Sequence, residues 1–348
     1  MLERSIKNPL ISPDQVPPSA NGYKVLGAFN PGAIEFKDEI RLLLRVAESC
    51  EQKEGYFAVP TYEFKDGKGK PVIKSFDLSD PEIKLQDTRG VKVKGKEYLS
   101  TMSHIRIARS KDGINFKVDD KPFLAPVNEK ECFGIEDARV SKIDGRYYIN
   151  YSIVSGDSWC TALAVTDDFI SVERLGVIFP PENKDVSIFP EKVNGKYIAL
   201  HRPNNSGFGK ASIWYADSPD LLNWGNHQCL LRPRETSFEA MKIGGGSAPF
   251  KTDKGWLTIY HAKGEYQRYS LFALLLDLNE PWKIIKQGKV PLLEPKEKYE
   301  TEGFFGNVVF TNGLIIKGDL LMMYYGASDE STCLATGSIK EILRSLGV

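Results

Sequence analysis

Neither sign of charge is in excess in this sequence: 46 Lys and Arg stand against 46 Asp and Glu, a formal net charge of zero. A nucleic-acid partner needs a concentrated positive surface, so that class has no electrostatic support. Long apolar runs are also missing. The best candidate, LFALLLDL, is too short to span a bilayer and carries an aspartate, and the opening MLERSIKNPL lacks the apolar core of a signal peptide. Cysteine is scarce and odd in number. Cys50, Cys132, Cys160, Cys229 and Cys333 show no CxxC spacing, which reads as a reduced, intracellular protein, placed in the cytoplasm by default. Four dispersed histidines and no HExxH leave no metal site to expect. GGGSAPF is neither GxGxxG nor a P-loop, and it reads as a tight turn or a close backbone approach. Ser103, Ser187 and Ser247 lack the context of a nucleophile.

What is present is strand grammar. The 18 Phe, 15 Tyr and 5 Trp fit a strand-rich core, and flat rings also suit the apolar faces of sugars. Short apolar segments, turns of Asp, Asn, Gly and Lys, and second apolar segments recur from residues 33, 138, 190, 248 and 308. Examples are ARVSKIDGRYYINYS and APFKTDKGWLTIYHA. In such hairpins the turn residues supply unusual backbone angles and the flanks supply a buried face. The last three starts fall roughly 55 to 60 residues apart. A second strand pair often follows each of them, as in HIRIARSKDGINF and ASIWYADSPDLLNW.

Five imperfect units of about four strands predict an all-β, five-bladed β-propeller. It forms one domain over residues 1–348, with an insertion in the first blade region (62–100) and a short C-terminal helix in SIKEILRSLGV. A β-sandwich is the alternative. The insertion reads either as a wall of an acceptor pocket or as a contact in a homo-oligomer.

FGIEDARV, residues 133 to 140, places two acids and an arginine at the start of such a unit. The cluster either caps a sheet or brings a proton donor or sugar clamp to the mouth of a site. Arg45, Asp137, Arg139, His201, Arg202, His261 and Asp329 all fall at comparable strand ends, so repeats far apart in sequence are expected to bring them together.

In order along the chain, FNPGA, RVAE, HIRIARSKDG, GIEDARV, NKDVSIFPEKVNGKYIALHRP, GGGSAPFKTDKGWLTIYHA, GNVVF and YYGASD resemble glycoside hydrolase family 130, from about residue 8 to residue 335. The resemblance implies a five-bladed propeller acting on β-mannosides. It also implies inverting phosphorolysis, in which phosphate attacks the anomeric carbon and α-D-mannose 1-phosphate leaves a shortened acceptor. Asp137 matches the family's general acid, thought to reach the departing oxygen through a sugar hydroxyl. Arg45 matches a phosphate-binding arginine; Lys242 and His261 look like further members of the anion site, and Arg202 is an additional donor. Lys184 retains an anion contact. Asp329 resembles an acid that binds mannosyl hydroxyls, and Asn30, Glu136, Arg139, Asp185 and His201 complete the substrate-binding set. His201 is assigned to either sugar or phosphate. Such roles are chemically coherent: a leaving alkoxide needs a proton, and phosphate needs cationic donors.

Lys184-Asp185 departs from the Arg-Asn pair of the mannosylglucose branch, since a carboxylate cannot replace an amide donor. NKD, FPE and HRP look more like the β-1,2-mannobiose and β-1,2-oligomannan phosphorylases. The expected reaction is therefore phosphorolysis of β-1,2-linked mannobiose or mannooligosaccharides, with inorganic phosphate as cosubstrate and no cofactor. The alternatives are a phosphorylase for β-1,4-linked mannosides, an inverting β-mannosidase using Glu136, Glu191, Glu239 or Glu302 to activate water, and a carbohydrate-binding protein without turnover.

Overall fold

Period-two alternation decides which way each strand faces. In Arg146–Val154 the residues Tyr147, Ile149, Tyr151 and Ile153 pack on Ala162, Ala164 and Phe169, while Asn150 and Ser152 point to the opposite face. Each large side chain buried in this way contributes about 1.5–3 kcal/mol. The computed structural model describes residues 2–87, 90–204 and 208–348. Thr88 and Arg89, inside the predicted insertion, lie outside the described residues.

Strands dominate, and most of them fall in four sheets. Glu3–Arg4, Ser331–Ser338, Leu320–Ala327 and Val309–Lys317 lie side by side in that order, so one sheet holds both ends of the chain. Arg4 secures the arrangement. Its Nε donates to Glu300 Oε1 at 2.8 Å and its Nη2 to the Glu294 carbonyl at 2.7 Å, while the Tyr325 hydroxyl donates to the same Glu300 carboxylate at 2.7 Å. A four-stranded sheet is built from Asn183–Ile188, Tyr197–Pro203, Ile213–Ser218 and Gly225–Leu231. A five-stranded one is centred on Trp256–Lys263 and Tyr269–Leu276. The C-terminal helix, Ile339–Ser345, is capped by Ser338, whose hydroxyl accepts from the Glu341 amide. It lays Ile339, Ile342 and Leu343 on a core that includes Leu2, Leu257 and Met323.

The five-bladed propeller is corrected by the hydrogen bonding. The units starting at residues 33 and 138 do not stand as separate blades; they share one eight-stranded sheet. The join is a parallel bridge between Gly134 and Ser103. Gly134 sits at φ 119°, and a Cβ there would meet the Ser103 backbone, so only glycine allows the approach. No sheet among the described residues closes into a barrel or propeller. Hairpin grammar counts strand pairs but does not say which edges then bond to each other, so the repeat count outran the architecture. The all-β class and the C-terminal helix are observed. The predicted insertion, 62–100, holds most of two small sheets: a hairpin whose first strand, Tyr56–Lys65, starts ahead of it and pairs with Lys68–Asp77, and a three-stranded sheet from Ile83–Asp87 to Lys96–Leu99.

Bulges position the polar centre. The strand Tyr23–Phe36 shifts register between Phe29 and Gly32, Gly134–Ile143 between Glu136 and Arg139, and Asn183–Ile188 between Lys184 and Ser187. Inside these bulges Asn30, Asp137 and Asp185 take left-handed φ values of 47°, 50° and 54°. Asn and Asp tolerate this region better than other side chains, and a bulge re-aims the residue it carries. Asp329, at φ 53°, has the same conformation just beyond Leu320–Ala327.

Candidate active site

Arg45 is the hub of the first half of the site. From the strand Glu39–Cys50 its Nη2 donates to Glu136 Oε1 at 2.7 Å, its Nη1 to Asp137 Oδ1 at 3.4 Å, and its Nε to Ser103 Oγ at 3.1 Å. The Phe29 ring lies 4.9 Å from its guanidinium carbon. Asn30 Nδ2 donates to the same Asp137 oxygen at 3.1 Å, and Lys184 Nζ stands 3.9 Å from Glu136 Oε2. Burial pushes the Asp329 carboxyl up to about 6; Arg45 opposes this, while Asp137 and Glu136 reinforce it. The bulge explains how adjacent residues Glu136 and Asp137 both reach one arginine, since regular alternation would turn one of them away.

Asp185 organises the second half. Its Oδ2 lies 3.0 Å from Arg202 Nε and 3.3 Å from His261 Nε2, and its Oδ1 lies 3.5 Å from Arg139 Nη2. The arginine contacts are charge contacts rather than well-aligned hydrogen bonds on Asp185 Oδ2, since neither that oxygen nor Arg202 Nε has a hydrogen-bond partner. Burial works against the Asp185 carboxylate, yet Arg202, His261 and Arg139 hold its pKa well below the usual range. Burial lowers His261 to about 4 against the pull of Asp185, so its imidazole is neutral at pH 7. Lys242 is brought down to about 7 by burial and by repulsion from Arg202, Lys184 and Lys263, with Asp185 opposing. Lys242 and Lys263 each place Nζ 5.4 Å from the Tyr269 ring centre.

Two sequence candidates are buried in the wall, Arg139 behind Asp185 and His201 away from both clusters. Arg139 is buried against backbone, donating to the carbonyls of Gly246 at 2.7 Å, Gly245 at 2.9 Å and Asp137 at 3.2 Å. His201 is stacked on Phe179 with ring centres 4.7 Å apart; Nδ1 meets the Asn183 side chain and Nε2 lies 3.1 Å from His227. Burial, aided by His227, lowers it to about 3. The remaining candidates fall into the two clusters, and Arg139 bridges them, donating to the Asp137 carbonyl and lying 3.5 Å from Asp185 Oδ1.

Tyr269 and Lys263 were not singled out from sequence, and Ser103, which receives Arg45 Nε, was weighed only as a nucleophile. Lys263 had a signal, since it lies two residues after His261 on the same strand and so on the same face. The glycines of GGGSAPF are explained by the fold: a Cβ on Gly244 would collide with Asp185 Oδ2 and the His261 ring. Of the glutamates considered for activating water, Glu191 pairs with Lys251, Glu239 with Arg234 and Tyr260, and Glu302 with Lys298. Glu136 is held by Arg45 and Lys184. A cavity of about 1150 Å³ shares no lining residue with the clusters; it lies among the insertion strands, beside Tyr62, Phe64, Lys70, Lys96 and Tyr98. Among the described residues no group of three or more His, Cys, Asp and Glu could hold a metal ion, and no helix is long and apolar enough to cross a membrane.

Comparison with known proteins gives the same direction. Residues 79–347 match the model of glycoside hydrolase family 130, described as β-1,4-mannooligosaccharide phosphorylase. The chain is 47% identical to a β-1,2-mannobiose phosphorylase of Listeria innocua serovar 6a, over 100% of this chain and 99% of the relative. It is 42% identical to a 1,2-β-oligomannan phosphorylase of a Thermoanaerobacter species, over 71% of this chain and 82% of that one. A solved structure of the Listeria innocua β-1,2-mannobiose phosphorylase with β-1,2-mannobiose superposes with a TM-score of 0.93 at 46% identity, covering 99% of each chain. A motif series in order, two charged clusters built on bulged strands, and a likeness that runs the length of the chain converge on one assignment: the chain belongs to glycoside hydrolase family 130.

Proposed function

We propose that the two clusters form one active site, in which this chain phosphorolyses β-1,2-linked mannooligosaccharides. The observation that carries this reading is a run of neighbouring cations: Arg45 beside Asp137, Lys184 beside Glu136, and Lys242 close enough to Lys184 and Arg202 to feel their charge. Glu136, Asp137 and Asp185 balance Arg45, Lys184 and Arg202, whereas burial and neighbouring cations disfavour the charged form of Lys242, so an anion seated beside it is stabilised. Phosphate supplies such an anion. The β-1,2 linkage follows the full-length relative and the Thermoanaerobacter one, whereas the family model's own description is β-1,4.

In the reaction a phosphate oxygen forms a bond to the anomeric carbon as the bond to the glycosidic oxygen breaks. The electron pair of that bond goes to the departing oxygen, which takes up a proton. Asp137 is the donor in this reading, held by Asn30 and Arg45. Attack opposite the leaving group inverts the centre and yields α-D-mannose 1-phosphate. Arg202, Lys242 and Lys184 screen the incoming charge, and Asp329 accepts hydrogen bonds from the mannosyl unit. Arg139 and Asp185 act behind these groups, shaping the glycine strand and balancing Arg202.

The test is product formation from β-1,2-mannobiose with and without inorganic phosphate, resolving mannose 1-phosphate from free mannose. Mannose 1-phosphate formed only with phosphate is the expected result. Free mannose released equally well without phosphate would replace the reading with hydrolysis.

A further inference from the structure

Glu136 is placed oddly for a residue that serves only the sugar. Its two carboxylate oxygens are divided between two cations of the site: Oε1 receives Arg45 Nη2 at 2.7 Å, and Oε2 lies 3.9 Å from Lys184 Nζ. The side chains involved are partly open, at 18% for Arg45, 26% for Lys184 and 14% for Glu136. The contact is therefore at the mouth of the site rather than in its packed wall. Arg45 is fixed from behind by Ser103 and by the Phe29 ring, so Glu136 is not needed to hold the guanidinium in its plane. Asp137 and Asp329 add two more carboxyl groups beside the same arginine.

From this geometry we infer that Glu136 is an internal counter-ion, a positioning residue that holds the anion-facing sides of Arg45 and Lys184 until phosphate takes them over. The inference rests on the phosphorolysis proposed above. A phosphate seated on these cations meets a second negative charge within the same cluster, and like charges at such range oppose binding. The carboxylate thus weakens phosphate in exchange for an empty site whose cations do not repel each other. The anionic product, a sugar phosphate, is expelled by the same charge.

The decisive measurement is phosphate binding to the full chain in the absence of sugar, by calorimetry at fixed pH and ionic strength, for wild type, Glu136→Gln and Glu136→Asp. The glutamine keeps the size and removes the charge; the aspartate keeps the charge. We expect the glutamine variant to bind phosphate at least threefold more tightly, with the aspartate variant near wild type. Equal or weaker binding by a Glu136→Gln protein with an unchanged thermal melt would overturn the inference, because a merely structural glutamate gives no gain. If that variant melts early, the same titration well below its melting midpoint, repeated with Glu136→Ser as a second neutral side chain, decides: tighter phosphate binding by a neutral variant than by wild type supports the idea, and no gain in either overturns it. Wild type that binds no phosphate and turns over without it would bring down the phosphorolysis reading itself, a result distinct from phosphate-dependent wild type with no gain in the variant.

Discussion

Lys242 offers a quantitative handle on the proposed anion site. Burial and the neighbouring charges of Arg202, Lys184 and Lys263, opposed by Asp185, bring its ammonium down to about 7. An anion placed beside it stabilises the protonated form, so the bound complex holds that proton to higher pH than the free protein does. The sign follows directly: anion affinity is full below pH 7 and falls as pH rises through the free-site value. At pH 6 roughly 90% of Lys242 carries the proton and at pH 9 roughly 1% does, so binding that requires it weakens roughly 90-fold over that range. Keeping the proton to pH 9 requires the anion to contribute about 2.7 kcal/mol to it. A unit charge at about 4 Å supplies about 4 kcal/mol at an effective dielectric constant of 20. Phosphate itself titrates near neutrality, so the assay uses sulfate, whose charge is constant here, as a competitive inhibitor of phosphorolysis at constant ionic strength. The wild-type inhibition constant should climb steeply between pH 7 and 9, and in Lys242→Met the slope should vanish while binding at pH 6 weakens at least tenfold. A wild-type constant that stays flat from pH 6 to 9 would refute the reasoning.

Three further outcomes follow from the geometry. Asp137→Asn should reduce kcat by about 10²–10⁴-fold while β-1,2-mannobiose still binds, measured by steady-state kinetics and calorimetry, since an amide keeps the Asn30 neighbourhood but supplies no acid. Gly244→Ala should raise the KM for phosphate more than tenfold, because the new methyl must displace Asp185 or His261; an unchanged KM would show that neither matters to the anion. Arg4→Met should cost about 3–5 kcal/mol in denaturant unfolding, since it strips the charge partner from the fully buried Glu300 carboxylate; a loss below 1 kcal/mol would remove that pair from the account of how the chain ends are held.

Much of this protein could be read before any coordinates. Alternating residues such as Tyr147, Ile149 and Tyr151 announce a strand with one buried face, and the Asp, Asn and Gly turns announce hairpins, because both depend on local backbone chemistry alone. The order of motifs from FNPGA to YYGASD named the family, and most of the residues it proposed for the site are ones the fold gathers into two charged clusters. Other features belong to tertiary structure. Gly134 meeting Ser103 fuses two predicted units into one sheet, and strand edges carry no sequence label that announces such a join. His201 and Arg202 are neighbours, but successive side chains on a strand point to opposite faces, so Arg202 meets Asp185 while His201 stacks on Phe179. At Glu136 and Asp137 a bulge breaks that same alternation, and both acids reach Arg45. The sequence by itself determined which side chains were available and the local shape of each strand. Only the folded chain decided which of them share a charge, because electrostatic pairing acts across space and Arg45 meets its partners from the far side of 91 residues.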